Sequence, residues 1–434
     1  MFAGVSKVEI TPHTAVWMDG MIRTHKSTGV HDPIYTRALV LATDKSLTDA
    51  CAIVSVEVCG ISGPDAARIH KRITDSTGIP AKNIIIAATH THSGPAALGF
   101  FNPKETGFVE DVIEKTTSAV KIAVQSLQQV LVGYASGIEN TISHYRRLLA
   151  HDGNVVMNWE PYPPEKISCP LGDIDPEVGV LVLIDTNDGK SIRGLIFNHA
   201  GHPNVMSGDN HLISGDYPGL AMSLIEEDTG GVSLFFNGAQ GTMDIDGLKD
   251  RDWEGVNRTG SALRDAVMEA AGKTEPGNNF TMRVDTVHYC LRRRVISDDE
   301  LSWAEKILAD GGDLLQAMAD GVGDDYKAGL YKDLHSRQDS EIDVSQTCIV
   351  LGDCAFLSFP GELFTEIGVK IKKSSPFPHT YIIGLANGEI GYVPTKQAVV
   401  EGGYAVETRE VYYDAEDIVL SKSLALLNRV YEME

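Results

Sequence analysis

The alternation of strand-like and helix-like segments constrains the fold of this chain more than any other feature. Apolar runs rich in valine, isoleucine and phenylalanine and bounded by turn residues predict strands, for example 51–58, 83–89 and 192–200. Segments with helical spacing of apolar residues lie between many of these runs, for example 64–76 and 108–127. The alternation predicts an α/β fold with layered, mixed β-sheets flanked by helices.

Several segments refine this prediction. The runs 130–136 and 346–360 have the pattern of hairpins, and 298–319 has the spacing of a helix. The polar, turn-rich segments 138–176 and 320–345 are interpreted as surface excursions, where binding loops usually lie. The sequence contains no convincing linker, and we therefore predict that residues 1–434 form a single domain.

Charge and cysteine usage restrict the partners and the compartment. A net charge of −23 argues against nucleic acid and anionic membranes as partners. Six scattered cysteines without metal or redox spacing indicate buried thiols rather than a disulfide framework. The N-terminal sequence does not resemble a signal peptide, and no apolar run reaches the roughly 18 residues of a membrane span. We therefore expect a soluble, cytoplasmic protein without membrane insertion, whose oligomeric state stays open.

The stretch Asn83–Pro95, "NIIIAATHTHSGP", ends an apolar strand with two histidines and a turn. Residues i and i+2 of a strand face the same side, so His90 and His92 can converge on one point just past the strand end. The alternative is that one histidine caps the turn while the other is exposed.

A second apolar strand ends in the same way. In "LIFNHAGHPNV" the strand is followed by His199 and His202, and two strands of this kind indicate imidazoles delivered to one metal. Glu362 in "FLSFPGELF" would complete a His-His-Glu set, the ligand type of several zinc hydrolases. Tyr392 follows the glycine-rich turn of "ANGEIGYVPT" and is a fourth candidate.

Together these motifs resemble the catalytic domain of the neutral/alkaline, non-lysosomal ceramidases. The pieces follow the family's order over nearly the whole chain, and "HTHSGP" is the most specific of them. The segments that carry the resemblance are "GVHDPIYTRALVL" (29–41), "THTHSGP" (89–95), "NHAGHPNV" (198–205), "ISGDYPG" (213–219), "FFNGAQG" (235–241), "PGELF" (360–364) and "GYVPT" (391–395).

The resemblance implies a Zn²⁺ site, and whether one metal or two are bound stays open. Carried over motif by motif, it implies His90, His202, Glu362 and Tyr392 as metal ligands. It implies that His92 contacts substrate or stabilises the transition state instead of binding the metal, which makes it a catalytic candidate. For His199 a supporting or structural role is expected.

The sequence departs from the family in two respects. Asp244 occupies the place where we align a family serine near the metal, so it is a second catalytic candidate, as a general base, a substrate ligand or a group near the metal. The sequence ends at Glu434, without the C-terminal immunoglobulin-like domain of the ceramidases, so we expect the catalytic domain alone.

Three further residues are candidates for substrate binding. His31 lies in a turn that resembles a family pocket segment, and Tyr404 lies in a loop that resembles one near the metal-site tyrosine. Arg146 could anchor a carboxylate or hydroxyl group, or form a surface salt bridge.

The expected function is zinc-dependent hydrolysis of an amide, or next an ester, of a small polar substrate by metal-activated water. The alternatives are a true ceramidase or N-acyl lipid amidase, a carbohydrate deacetylase or lactonase, and a non-catalytic binding protein that kept the fold.

Overall fold

The computed structural model describes residues 1–245, 251–278, 280–311 and 321–433. The helices of this part of the chain are α1 Gly63–Thr77, α2 Thr106–Gln125, α3 Asp216–Thr229, α4 Trp253–Ala271, α5 Asp298–Gly311, α6 Asp324–Arg337, α7 Thr365–Ser374, α8 Lys396–Glu401, α9 Tyr404–Glu407 and α10 Ala415–Tyr431. Its strands are β1 Phe2–Glu9, β2 Gly29–Val30, β3 Tyr35–Ala42, β4 Cys51–Val56, β5 Ile84–Ala88, β6 Gln128–Ile138, β7 His144–Tyr145, β8 Arg147–Ala150, β9 Val155–Met157, β10 Ile167–Pro170, β11 Glu177–Asp185, β12 Ile192–His199, β13 Leu212–Ile213, β14 Val232–Asn237, β15 Met243–Asp244, β16 Met282–Arg292, β17 Glu341–Leu351, β18 Cys354–Ser358, β19 Glu362–Leu363, β20 His379–Ile383 and β21 Tyr392–Val393.

The larger sheet has the strand order β14-β12-β11-β6-β1-β3-β4-β5. The pairs β4–β5 and β12–β14 are parallel and the other neighbours are antiparallel, as expected for a mixed sheet. Only two residue pairs join β1 to β6, so the sheet is two halves linked at a corner. The Ser55 hydroxyl of β4 donates to the Phe235 carbonyl of β14 at 2.7 Å, which connects β4 of one half to the edge strand β14 of the other.

The layers follow from the two faces of each strand. In β4, Ala52, Val54 and Val56 pack against α1 and α2, whereas Cys51 and Ile53 pack against the second sheet, β16-β17-β18-β20. Helices α3 and α4 cover β11, β12 and β14, and helices α7 and α10 cover the far face of the second sheet. The fold class predicted from the sequence, layered mixed sheets flanked by helices, is confirmed. No helix in the described ranges is long and apolar enough to cross a bilayer.

The structure confirms some of the individual strands, hairpins and helices predicted from the sequence and contradicts others. The hairpin over 346–360 exists as β17 and β18, but 130–136 belongs to the single strand β6 and is not a hairpin. The prediction of a surface excursion over 320–345 is wrong, since α6 and the start of β17 lie there. Helix α6 buries only Ala328, Tyr331 and Leu334, an apolar stripe too narrow to stand out among its charged residues. The predicted helix 298–319 begins as α5 at Asp298, and residues 312–320 lie outside the described part of the chain.

Beneath helix α3 the fold contains a buried ionic network. Arg37 pairs with Glu57 and with Glu226, and the side chains of Arg37 and Glu57 are each 1% exposed. Replacing Arg37 by methionine would leave the buried Glu57 carboxylate without its cation. We expect the free energy of unfolding, measured by urea titration, to fall by about 3–5 kcal/mol.

The matched control is Lys71→Met. Lys71 forms an ion pair with Asp75 on the exposed surface of α1, and removing it should change stability by less than about 0.5 kcal/mol. Equal effects of the two substitutions would contradict a structural role for the Arg37 network.

Candidate metal centre

Two of the predicted strands end side by side at the site. After β5, the N–H groups of Thr89 and His90 donate to the carbonyls of Val56 and Val58, respectively. The φ angle of His90 is 75°. This left-handed conformation is uncommon for a residue with a side chain and is found preferentially at functional sites. The loop after β12 is joined to it, because the His92 N–H donates to the Pro203 carbonyl at 2.9 Å.

Backbone carbonyls fix the tautomer of two histidines. His90 Nδ1 lies 2.7 Å from the Cys59 carbonyl, and His202 Nδ1 lies 2.9 Å from the Met243 carbonyl. Because a carbonyl only accepts, each Nδ1 must carry a hydrogen, which makes Nε2 the atom of each ring that can bind a metal. Burial, with the charge of Arg146 second, lowers the pKa of His202, which favours the neutral form.

These Nε2 atoms point at one another and at a carboxylate. His90 Nε2 lies 3.3 Å from His202 Nε2, and Glu362 Oε2 lies 3.5 Å from the first and 3.2 Å from the second. The three side chains are buried, and Glu362 Oε2 has no hydrogen-bond donor. These three acceptors have no hydrogen to share among themselves, so a cation placed between them would stabilise the arrangement.

The donor set fits zinc. Tetrahedral zinc with ligands at 2.0–2.1 Å requires ligand atoms about 3.3–3.4 Å apart, and the three measured separations are 3.2, 3.3 and 3.5 Å. Two imidazoles and one carboxylate are also a common ligand set of catalytic zinc, which keeps one position open. His90, His202 and Glu362 therefore suit the ion that the sequence led us to expect.

Tyr392 lies on the strand beside Glu362. The parallel pair β19–β21 places Glu362 and Tyr392 opposite each other, and both line the same cavity. Burial raises the pKa of Tyr392 well above its ordinary value. Its role as a fourth metal ligand stays a prediction, supported by this placement.

Arg146 lies behind the cluster rather than on the surface. It is 2% exposed, its Nη2 donates to the Gly241 carbonyl at 2.7 Å, and its Nη1 lies 3.4 Å from His202 Nε2. Its guanidinium carbon lies 5.0 Å from the ring centre of Tyr392 and 5.9 Å from that of Tyr404. The alternative of a surface salt bridge is wrong, and the fold brings Arg146 and Tyr404 to the site.

His92 belongs to the same cluster. Its Nε2 lies 3.3 Å from His90 Nε2, and its buried Nδ1 has no partner among the described residues. Burial, followed by the neighbouring imidazoles, lowers the pKa of His92 well below the ordinary value, so the ring is neutral. A Cβ on Gly20, which has a φ of +86°, would lie 2.3 Å from His92 Cγ, and Arg23 Nη2 donates to the His92 carbonyl at 2.7 Å.

A cavity of about 520 Å³ opens onto these groups. His90, His92, Glu362, Tyr392 and Tyr404 form part of its wall. Leu98, Phe101, Tyr326 and Leu330 form an apolar part, of which the last two come from α6. Sequence reasoning did not identify Gly20, Arg23 or the α6 residues, because none of them lies in a motif or at a strand end.

His202 and Arg146 line a smaller adjoining cavity with Tyr392 and Tyr404, and the other two predicted site residues line neither of these cavities. Asp244 is fully buried, accepts from the Ile245 N–H at 2.8 Å and has no partner for Oδ2 in the described chain. His31 is on the surface, where its ring stacks on Trp253 at 3.6 Å and its Nδ1 lies 2.8 Å from Asp32. Asp244 adjoins the site through the neighbouring Met243 carbonyl, whereas His31 is separate from it.

The fold and the site define a class, a layered α/β protein with a candidate metal centre at a deep cavity. A comparison with family models is consistent with this class, since residues 2–242 match the N-terminal part of the neutral/alkaline non-lysosomal ceramidases. The chain belongs to this ceramidase family, as the motifs indicated.

Individual relatives give the same family. The chain is similar to the neutral ceramidase of Mycobacterium tuberculosis, with 26% identity over 59% of this chain and 43% of the relative. It is similar to that of Pseudomonas aeruginosa, with 28% identity over 54% of this chain and 34% of the relative. The chain thus aligns with less than half the length of these relatives.

Solved structures support the fold. The crystal structure of the Pseudomonas aeruginosa neutral ceramidase superposes with a TM-score of 0.74 at 21% identity, covering 99% of this chain and 75% of that one. A ceramidase complexed with C2 gives a TM-score of 0.76 at 20% identity over the same shares. At this identity the likeness applies to the fold alone.

Proposed function

We propose that this protein is a zinc-dependent amidohydrolase that cleaves the amide bond of a small polar substrate with metal-activated water. The observation that carries the proposal is the convergence of His90 Nε2, His202 Nε2 and Glu362 Oε2 within 3.5 Å of one another. His90 and His202 follow strands of the larger sheet, whereas Glu362 comes shortly after β18 of the second sheet, which supports the proposal that the chain acts as one catalytic domain.

The residues have separate proposed roles. His90, His202, Glu362 and Tyr392 would hold the ion, which supplies Lewis acidity and makes water nucleophilic near neutral pH. His92 would donate to the developing oxyanion or transfer a proton to the leaving amine. Arg146, buried against His202 and the two tyrosines, would orient the substrate carbonyl with its charge.

Two of the residues predicted from the sequence are assigned no direct contact with the substrate. Asp244 would position His202 through the backbone rather than act on substrate, because it lines neither the main cavity nor the adjoining one of His202 and Arg146. His31 would take no direct part, since its ring is stacked on Trp253 at the surface.

The test is a substrate panel with metal analysis. Purified protein would be stripped with a chelator, reloaded with zinc, and assayed on polar amides, esters and lactones. We expect amide hydrolysis that is lost on stripping and returns with zinc. Protein that cannot be loaded above about 0.2 zinc per chain would contradict the proposal and favour a non-catalytic binding role.

A second candidate is the hydrolysis of an N-acyl lipid. The apolar wall of Leu98, Phe101, Tyr326 and Leu330 favours it, and the relatives named above are neutral ceramidases. The two candidates differ in one measurement, kcat/KM for a short-chain amide against a long-chain ceramide. A higher kcat/KM for the long-chain ceramide would show that the substrate is an N-acyl lipid and not a small polar amide.

Gly20 supplies a prediction about His92. In Gly20→Ala the new methyl group would overlap the His92 ring, so we expect at least about a tenfold loss of kcat with zinc content unchanged. The control is Gly63→Ala in α1, where a Cβ meets no atom within 4 Å. A fully active Gly20→Ala enzyme would show that the position of the His92 ring does not limit the reaction.

A further inference from the structure

Carboxylates in the cavity wall differ in their partners. Glu362 has its two imidazole neighbours. Glu410 accepts from Arg337 Nη1 at 3.0 Å and from Arg293 Nη1 at 2.7 Å. Asp333 accepts from Arg337 Nε at 2.7 Å. Glu410 and Asp333 are therefore compensated by arginines of the protein, whereas Glu362 lies in the proposed metal-binding set.

Glu389 is different. Its Oε1 accepts from the Gly391 N–H at 2.7 Å, which fixes the carboxyl group, while its Oε2 is shielded from solvent and has no partner in the described chain. Burial, with the charge of Glu362 next, raises the pKa of Glu389 well above its ordinary value, and a ligand that donates to Oε2 or carries a positive charge would lower it again. A buried acceptor without a donor is costly, and a donor on a bound ligand would remove the cost.

We propose that Glu389 is a specificity-determining residue that accepts a hydrogen bond from a hydroxyl or ammonium group of the substrate. Because Leu98, Phe101, Tyr326 and Leu330 line the same cavity, the substrate class is an amide that carries such a donor beside a short apolar segment. This inference rests on the proposed function, since it names the substrate class of that site. A purely apolar ligand would not meet this requirement, because it would leave Glu389 Oε2 without a hydrogen-bond donor.

The test uses three acetamides of similar length that end in different groups. These are N-acetylethanolamine with a hydroxyl, N-acetylethylenediamine with an ammonium, and N-propylacetamide with a methyl. Their kcat/KM would be measured with the zinc-loaded enzyme, and their Kd by ligand-observed NMR. The variants are Glu389→Leu, which removes the acceptor, and Glu389→Gln, which keeps an acceptor without charge. Glu227→Leu, on the exposed side of α3, is the control.

The wild type should prefer at least one donor-bearing amide over N-propylacetamide by about fivefold or more, the usual effect of one hydrogen bond. Glu389→Leu should bring this ratio close to one, and the control should keep it. If Glu389→Gln retains the ratio, the group recognised is the hydroxyl; if it loses the ratio for the diamine, the group is the ammonium.

Two results would overturn the inference. One is a wild-type ratio near one for both donors, and the other is a Glu389→Leu protein that keeps the wild-type ratio. The Kd ratio answers this question even if none of the amides is hydrolysed. Absence of hydrolysis would therefore count against the proposed reaction alone, and an unchanged binding preference would count against the role of Glu389 alone.

Discussion

Replacing His202 by alanine is expected to abolish zinc binding and hydrolysis together. The substitution removes one of the three acceptors that lie within 3.5 Å of one another and leaves the other two with no fixed partner across the site. Loss of the ion removes several kcal/mol of transition-state stabilisation, a fall in kcat/KM of about a thousandfold or more. Zinc per chain, measured by atomic emission after dialysis, should fall in parallel with activity.

His199→Ala is a matched control for this prediction. His199 is also a histidine at the end of β12 and is 1% exposed, but its Nδ1 lies 3.1 Å from the Glu177 carbonyl and it is not part of the converging set. We expect this variant to lose stability and to keep its zinc. If His199→Ala lost zinc as completely as His202→Ala, the assignment of the metal site would be wrong.

The sequence indicated the layers of the fold because strands and helices differ in the period of their apolar residues. Strands β5, β11 and β12 are almost fully buried and read as continuous apolar runs. Helix α6 was missed because its stability comes from packing against α5 and from charged contacts such as Lys327 with Glu407, which no local pattern reveals. The order in which strands pair within each sheet could not be predicted either, because this order depends on residues far apart in the chain.

The site was predictable to the extent that its residues lie at strand ends. His90, His202 and Glu362 each follow a recognisable apolar strand, and the fold brings their donor atoms together. The second wall of the cavity was not predictable, because Gly20 contacts His92 and Glu389 faces the cavity only through folding that brings distant parts of the chain together. His31 shows the converse, since its motif resembles a pocket segment while its ring is on the surface.

His92→Ala is expected to separate metal binding from catalysis. The ring lies beside the cluster, with its Nε2 3.3 Å from His90 Nε2, but neither of its nitrogens is fixed by a backbone carbonyl as those of His90 and His202 are. A ring without this orientation is suited to move a proton or to donate during the reaction rather than to hold the ion. Zinc content should stay near that of the wild type, while kcat falls by about a hundredfold or more.

The pH profile distinguishes this role from a structural one. Burial and the neighbouring imidazoles lower the pKa of His92, so a proton transferred through this ring should give the rate a limb on the acid side of its ordinary pKa of about 6.5. That limb should disappear in His92→Ala and persist in Gly63→Ala. A His92→Ala enzyme that lost zinc as readily as His202→Ala would make His92 a ligand, because the Nε2 atoms of His90 and His92 are close enough to bind the same ion.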